Sequence, residues 1–361
     1  MSIIFTADCH LKDSFLGKVL EAKGDSYLAI EEIIRVCLED KEQTGDTVLI
    51  IGGDLTDVKT PGAHIVGMAK ALVDRLKEEG IQTFMLQGNH EYNPEMPWAK
   101  VIGAEYLPDH INGIELCGHV VYGLDHMKRD ALVSALQAVP ENVQVLCVHQ
   151  ALKDALSFVS ATGETAYNME KSDVLPTVRL VLIGDIHITN SYVNDTTVFA
   201  YPGSITMQKF NEAPDKYVIK VLDDLSIEFV PIKTRTVVQL IIEDEPAMIQ
   251  CYQELKGLQA EEPLKALYSI TYKSDIPSAA VYIDKIRELG VCHIIGTPVF
   301  STNTEELIAA PSGVTGLEMA DYIDEYINKD EQRDEYEFIH ALLKSPDKKA
   351  FLVNQRKEIL K

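Results

Sequence analysis

The sequence has few of the features that mark disulfide-bonded, secreted or membrane proteins. Its six cysteines are scattered without a C-x-x-C pair, and most lie in or beside apolar runs, where a thiol usually acts as a small buried hydrophobe. No apolar stretch approaches the roughly 20 residues that a membrane-spanning helix needs. The N-terminus also lacks a basic flank followed by an apolar segment. We therefore predict reduced, structural cysteines, a cytoplasmic location and no membrane association.

Positive charge is also scarce. Lys and Arg total 33 against 56 Asp and Glu, so the net charge is −23. This balance weighs against a polyanionic ligand, because nucleic-acid binders gain affinity from cationic side chains that neutralise phosphates. The objection is weak, since bound divalent cations would offset part of the charge and much of it lies between Glu305 and Glu337. Net charge therefore leaves the class of partner open.

The rest of the composition is that of a globular protein with room for two domains. The chain has 361 residues, of which 46% are hydrophobic. In the first 232 residues, short β-rich runs alternate with segments of helical periodicity such as Tyr27 to Glu42 and Ala63 to Glu79. A last pair of strands, joined by "DDL", indicates a hairpin. This alternation predicts a layered α/β domain.

Residues 233–298 show the same alternation on a smaller scale, in the order strand, helix, strand, helix, strand. We predict that they form a small second domain. Residues 299–315 are turn-rich and polar, which predicts a linker, and residues 316–361 have helical patterns. Apolar positions in this tail, among them Leu342, Leu343 and Phe351, favour pairing with a partner helix; the alternative is a terminus docked on its own domain.

Side chains that can bind a metal follow five of the predicted strands. They are Asp8 and His10, Asp54 and Asp57, Asn89 with His90 and Glu91, His149, and Asp185 with His187. Loops at the carboxyl ends of strands line the ligand crevice of α/β sheets, so we expect these side chains to converge. Each motif alone is more typical of a turn or of a core histidine. Five together favour one site.

The chemistry of this set fits two adjacent divalent cations. Carboxylate and imidazole groups suit transition metals or manganese, and Asn89 adds a neutral oxygen ligand. Two-metal phosphoesterases hold ions about 3.5–4 Å apart and clamp the attacking and leaving oxygens between them. Asp54 is the candidate for the bridging ligand. His126, near another strand end, stays unassigned.

The motifs D-x-H, G-D-x-x-D, G-N-H-E, a lone histidine after a strand and G-x-x-H together resemble those of the calcineurin-like metallophosphoesterases. The likeness covers about residues 1–232 and implies an α/β fold: a four-layer β-sandwich flanked by helices, here with a small α+β capping domain and a helical C-terminal tail. It implies one metal held by Asp8, His10, Asp54 and His187, and a second held by Asp54, Asn89, His149 and Asp185. It further implies that His90 protonates the leaving oxygen or stabilises the transition state, that Glu91 orients His90, and that Asp57 belongs to the catalytic set.

The sequence departs from this family at Asp185, where the usual pattern G-H-x-H has a histidine. An added carboxylate makes the ligand set more negative, which favours manganese or magnesium over zinc. We therefore expect two divalent ions, with manganese ahead of magnesium. The competing expectation is a weakened second metal and low activity.

Three features resemble the nuclease branch of that family, the SbcD-type subunits. They are "YPGS" followed by "ITMQKFNE", the small domain at 233–298, which has the place of a DNA-capping domain, and the helical tail. The resemblance implies a DNA nuclease, with double-strand exonuclease and single-strand endonuclease activity. It also implies a homodimer that binds an SbcC-like coiled-coil ATPase through residues 316–361. The alternatives are a small-substrate phosphodiesterase or phosphatase, and a catalytically weak scaffold for a DNA-bound ATPase.

Overall fold

The structure, a computed structural model, describes residues 2–12, 24–158, 168–208, 212–213, 215–235, 237–257, 267–273, 276, 279–288 and 293–299. The chain divides into two compact units, one of residues 1–272 and 276–297 and one of residues 273–275 and 298–361. The predicted linker from residue 300 onward and the whole predicted tail lie outside the described residues. The domain boundary predicted after residue 232 stays a prediction.

Strands and helices alternate along the described chain. The strands are β1 (Ser2–Thr6), β2 (Thr47–Gly52), β3 (Gln82–Leu86), β4 (Glu105–Tyr106), β5 (Ile114–Leu116), β6 (His119–Leu124), β7 (Val145–His149), β8 (Leu180–Gly184), β9 (Asn190–Asn194), β10 (Thr197–Tyr201), β11 (Lys216–Val221), β12 (Ile227–Ile232), β13 (Val237–Ile242), β14 (Leu267–Lys273) and β15 (His293–Val299). The helices are α1 (Asp25–Thr44), α2 (Ala63–Glu78), α3 (Trp98–Ile102), α4 (Arg129–Gln137), α5 (Glu245–Gly257) and α6 (Ala279–Glu288).

Two six-stranded sheets form the body of the first unit. The first has the order β12-β11-β1-β2-β3-β4, and the second has the order β5-β6-β7-β8-β10-β9. In the first sheet β1, β2 and β3 are parallel. In the second sheet β6, β7 and β8 are parallel. Within each sheet the carboxyl ends of these strands therefore lie at one edge.

Alternate residues of the central strands are buried on opposite faces, which builds a four-layer sandwich. Ile3 and Phe5 of β1 pack against Val145 and Leu182 of the other sheet in a shared inner core. Ile4, between them, packs on the other face among residues of α1 and α2. On the far side of the second sheet, residues of β7 and β8 pack against α4. The predicted fold class, an α/β sandwich flanked by helices, is confirmed.

The small third sheet has the order β13-β14-β15. β13 and β14 pair in parallel, and α5 and α6 share an apolar core with them. The helices predicted over Tyr27 to Glu42 and Ala63 to Glu79 agree with the bounds of α1 and α2 within two residues. The prediction missed β4, β5, β9, α3 and α4, because most of these elements are too short to show a period. Of the helices in the described part of the chain, none has the length and apolar character needed to cross a bilayer.

A buried carboxylate ties the first helix to the first sheet. Asp40 of α1 accepts hydrogen bonds from the hydroxyls of Ser2 and Thr47, on β1 and β2. Its Oδ1 also lies 2.6 Å from Lys220 Nζ on β11. Burial would raise the pKa of Asp40, but the Lys220 ammonium and the two hydroxyls hold that pKa below its usual value.

We predict that Asp40→Asn lowers the free energy of unfolding by roughly 3 kcal/mol, because it leaves the largely buried Lys220 ammonium without its charge partner. The matched control is Asp74→Asn, which removes the exposed ion pair between Lys70 and Asp74 of α2. This control should change the free energy by less than about 0.5 kcal/mol. Denaturant unfolding of both variants at neutral pH measures the difference.

The same pair has a predicted pH dependence. A carboxylate whose pKa is lowered by folding stabilises the protein above its ordinary pKa of about 4, and it loses that contribution as pH falls through the lowered value. The gap in stability between wild type and Asp40→Asn should therefore narrow on acidification below about pH 4. Two results would contradict this role for Asp40. One is an equal loss of stability in Asp40→Asn and Asp74→Asn, and the other is a difference between wild type and Asp40→Asn that widens in acid.

Candidate metal centre

The ligand-capable residues gather where the carboxyl ends of the parallel strands of both sheets meet. Loops after β1, β2 and β3 carry Asp8 and His10, Asp54 and Asp57, and Asn89 to Glu91. From the second sheet, His149 is the last residue of β7, and Asp185 and His187 follow β8. Five of these residues are at most 2% exposed: Asp8, His10, Asp54, Glu91 and His149. Residues from about half the chain thus meet in one place.

Asp8, His10 and His187 form the first cluster. Nε2 of His10 lies 3.0 Å from Nε2 of His187. Both of these nitrogens lie 4.0 Å from Asp8 Oδ1. Ligand atoms that share one cation, with bonds of about 2.1 Å, lie roughly 3 to 4 Å from one another. The three side chains therefore have the spacing of ligands to a single ion.

Asp54 lies between this cluster and a second one. Its Oδ2 is 3.6 Å from His10 Nε2 and 3.3 Å from His149 Nε2. Around His149, the same nitrogen lies 3.2 Å from Asn89 Oδ1 and 3.9 Å from Asp185 Oδ1. One carboxylate oxygen thus faces a histidine from each sheet, which is the position of a bridging ligand.

Four histidines surround the centre, and three of them have Nδ1 within a hydrogen bond of an acceptor. The acceptors are the Asp57 carbonyl oxygen for His90 (2.8 Å), the Gly52 carbonyl oxygen for His149 (2.8 Å) and Glu212 Oε1 for His187 (3.3 Å). In the fourth, His10, Nδ1 lies 3.3 Å from Asp57 Oδ1. Such acceptors place the ring proton on Nδ1 and leave the lone pair on Nε2, as in histidines that bind metals. The donor set therefore fits divalent cations.

Asp57 lies close to His10 and His90, and these three residues form a third group whose ligand atoms are near one another. Its carboxylate faces His10 Nδ1 and its main-chain oxygen faces His90 Nδ1, so one residue sets the orientation of two rings. The His10 imidazole beside the carboxylate, together with the Lys12 ammonium, outweighs burial and lowers the pKa of Asp57 to about 2. These contacts indicate an orienting residue at Asp57.

The expected contact between Glu91 and His90 is absent. Glu91 is fully buried, and its Oε1 accepts the main-chain N–H groups of Leu55 (3.3 Å) and Gly88 (3.2 Å). Burial and the nearby Asp54 carboxylate raise the pKa of Glu91 to about 8. Glu91 thus links the loops after β2 and β3 from beneath the site. The main-chain oxygen of Asp57 takes the place that the sequence reasoning gave to Glu91.

Asp8, His10, Asp54 and Asp185 have positive φ angles of 51°, 43°, 51° and 93°. Residues other than glycine seldom adopt such angles, and the strain is typically held at functional sites by the surrounding structure. Here the main-chain N–H of Asp185 donates to both carboxylate oxygens of Asp8, at 3.0 and 3.1 Å. The strained backbone therefore turns these side chains inward.

The carboxylates at the centre repel one another. Burial would raise the pKa of Asp54, but His149 and His10 hold that pKa well below its usual value. Asp185 has a raised pKa, because burial and the charges of Asp8 and Asp54 outweigh the attraction of His149. Divalent cations would relieve this repulsion. The charge distribution is thus a second observation that fits a metal centre.

Sequence reasoning missed a carboxylate that supports the loop after β3. Asp125, directly after β6, accepts hydrogen bonds from the main-chain N–H of Gln87 (2.7 Å), from Gln87 Nε2 (3.1 Å) and from the hydroxyl of Tyr106. Gln87 Oε1 in turn accepts the N–H of Asn93 and so closes the loop. The strand end noted beside His126 was the signal, since β6 ends directly before Asp125. The neighbouring His126, unassigned by sequence, has Nδ1 3.2 Å from the His149 carbonyl oxygen.

Sequence reasoning also gave no role to Glu212, although its segment "ITMQKFNE" was noted. The residue lies 25 positions from His187, and no local pattern joins the two.

Gly88 is predicted to be essential for packing at the site. A Cβ added there would overlap Asp54 Oδ1 and lie 2.5 Å from the Asp54 nitrogen. We predict that Gly88→Ala lowers the free energy of unfolding by about 1–3 kcal/mol and removes the thermal stabilisation given by added Mn²⁺. Gly67→Ala in α2, where a Cβ meets nothing within 4 Å, should be neutral or stabilising by up to about 1 kcal/mol. Equal effects of both variants in thermal unfolding with and without Mn²⁺ would contradict this role.

Comparisons with known proteins agree with the geometry. The family model described as "Calcineurin-like phosphoesterase" matches residues 1–189, more than half of the chain. The chain is similar to "DNA double-strand break repair protein Mre11" of Saccharolobus solfataricus, with 27% identity over 225 residues that cover 56% of this chain and 55% of that protein. The protein of the same name from Archaeoglobus fulgidus is 24% identical over 277 residues, covering 65% of this chain and 61% of that protein.

The chain thus spans little more than half the length of these curated relatives. Among solved structures, an archaeal phosphodiesterase aligns over 64% of this chain and 99% of its own, with 11% identity and a TM-score of 0.36, a likeness too low to carry an argument. The family match covers all five strand ends that meet at the centre, the last being that of β8 with Asp185 and His187. The chain belongs to the calcineurin-like phosphoesterase family.

Proposed function

We propose that this protein is a two-metal phosphodiesterase that cleaves DNA, a nuclease of the SbcD and Mre11 type. The observation that carries the proposal is the convergence of six further candidate metal ligands around Asp54, with the Nε2 atoms of three histidines among them turned to the centre. The similarity to Mre11 proteins supports DNA as the substrate class.

The ligands divide between two ions. We assign Asp8, His10, Asp54 and His187 to one ion, and Asp54, Asn89, His149 and Asp185 to the other. When bound, the two cations supply a nucleophilic water and stabilise the charge that develops on the phosphate. With Asp185 in place of a histidine, three carboxylates enter the set, and this favours manganese over zinc. The protein's own part is to hold the donors in place and to direct each Nε2 toward the centre.

His90 is assigned to the leaving group. Its Nδ1 donates to the Asp57 carbonyl oxygen at 2.8 Å, and its Nε2 lies 3.9 Å from Asp54 Oδ2. The side chain is 40% exposed, whereas His149 is fully buried, so His90 is open to a substrate. Since Nδ1 already carries a proton, the imidazolium form of His90 presents a second proton at Nε2. That proton passes to the sugar oxygen as it departs.

Support for a polymeric substrate comes from beyond the metal ligands. In chain order, the elements β13 to β15 with α5 and α6 follow the two large sheets. We propose that they form the DNA-capping domain that the resemblance to the nuclease branch implies. Both double-strand exonuclease and single-strand endonuclease activity are proposed. We further propose a homodimer and binding of an SbcC-like coiled-coil ATPase through residues 316–361. The acidic chain would then depend on that ATPase for part of its DNA-binding charge.

The test is Mn²⁺-dependent degradation of end-labelled linear duplex DNA, with and without an SbcC-like partner. We expect cleavage by the wild type, its loss on chelation, and its return with added Mn²⁺. His90→Ala should reduce the cleavage rate by about 10²–10⁴-fold, because it removes a general acid. His64→Ala, at the exposed start of α2, is the matched control and should cleave at the rate of the wild type.

Two other outcomes decide against the proposal. Turnover of a chromogenic bis-aryl phosphate without cleavage of any DNA would indicate a small-substrate phosphodiesterase. Tight binding of the ATPase without cleavage of either substrate would indicate a scaffold, which the carboxylate at Asp185 makes a specific alternative.

A further inference from the structure

Glu212 lies behind the metal centre and joins it to a buried lysine. Its Oε1 faces His187 Nδ1 at 3.3 Å. Its Oε2 accepts a hydrogen bond from the Gln208 main-chain N–H at 2.9 Å and lies 3.1 Å from Lys216 Nζ. Lys216 Nζ also donates to Ser204 Oγ at 2.9 Å. One carboxylate thus connects a proposed metal ligand to the start of β11 and to the loop after β10.

Lys216 is buried, and its ammonium group depends on the Glu212 carboxylate as its charge partner. Lys216 is only 3% exposed, and an ammonium group at such a place requires a charge partner and further hydrogen-bond acceptors. Glu212 supplies the charge and Ser204 an acceptor. The cation in turn fixes the carboxylate, since Oε2 is held by Lys216 and Gln208 while Oε1 stays turned toward His187. Glu212 therefore has little freedom to rotate away.

Of the three proposed histidine ligands, His187 has the least support from packing. Its side chain is 29% exposed, whereas those of His10 and His149 are 3% and 0% exposed. His149 is also held by the carbonyl oxygen of Gly52 within the sheet. A ring that packing does not enclose depends on its Nδ1 hydrogen bond for its direction. His187 donates this bond to the carboxylate of Glu212, which lies 25 positions away in the sequence.

We propose that Glu212 is a positioning residue that fixes the tautomer and direction of His187 for one metal ion, and that Lys216 holds Glu212 in place. The proposal rests on the proposed two-metal function. The competing explanation is that Glu212 only fastens the loop around Ser204 and Gln208, with no effect that passes through His187. The two explanations differ in how the effect of a Glu212 variant depends on His187.

The experiment is calorimetric titration of the metal-free full chain with MnCl₂. For the wild type we expect two sites. Glu212→Ala should weaken one site by about 10–100-fold and leave the other within a few-fold. Glu212→Gln keeps an acceptor oxygen for Nδ1 and should retain most of the affinity. Lys216→Met should act in the same direction as Glu212→Ala, and Glu228→Gln, at an exposed position of β12, should change neither site.

A double-mutant cycle with His187→Ala separates positioning from fastening of the loop. If Glu212 acts through His187, then Glu212→Ala has no further effect on metal affinity in the His187→Ala background. Circular dichroism of each variant checks that the fold is intact, and the Glu212→Gln comparison serves if Glu212→Ala does not fold. Unchanged affinity of both sites in Glu212→Ala, or an equal loss with and without His187, would overturn the inference. Absence of any Mn²⁺ binding by the wild type would overturn the proposed function as well.

Discussion

The site depends on the contacts that the Asp54 carboxylate makes. One oxygen faces His10 from the first sheet and His149 from the second, while the other accepts the main-chain N–H of His90 at 3.0 Å. Asp54 therefore joins loops from β1, β2, β3 and β7. Its pKa is held well below the usual value by the histidines around it, so it stays ionised across the physiological range. The sandwich brings the carboxyl ends of these strands together, and Asp54 contacts the histidines that lie there.

The geometry of the site requires backbone conformations that residues other than glycine seldom adopt. Four of the residues at the centre have positive φ angles although none is a glycine, and Gly88 lies so close to Asp54 that a side chain does not fit. The burial of the central strands of both sheets supplies the stability that holds this strain. Acceptors on the side away from the centre orient the rings: Asp57, Gly52 and Glu212 accept from Nδ1 of His90, His149 and His187, and each Nε2 stays turned to the centre.

Much of this arrangement could be predicted from the sequence, because strands buried on both faces show as apolar runs and because the polar residues that follow them are close in sequence. The D-x-H and G-N-H-E motifs are such cases. What escaped prediction depends on contacts between distant segments. Glu91 was expected at His90 because it is adjacent in sequence, yet its side chain turns into the core toward Leu55 and Gly88. Glu212 and Asp125 were missed because only the folded chain brings them to His187 and Gln87.

The family match and the geometry together support a phosphoesterase. In the proposed ligand set, Asp185 stands where the family resemblance implies a histidine. Anomalous scattering from a crystal of the protein grown with Mn²⁺ tests this account most directly. The account predicts two manganese peaks about 4 Å apart, with Asp54 between them, Asp185 bound to one ion and His187 to the other. A single peak, or ions bound without Asp54 and Asp185, would contradict it.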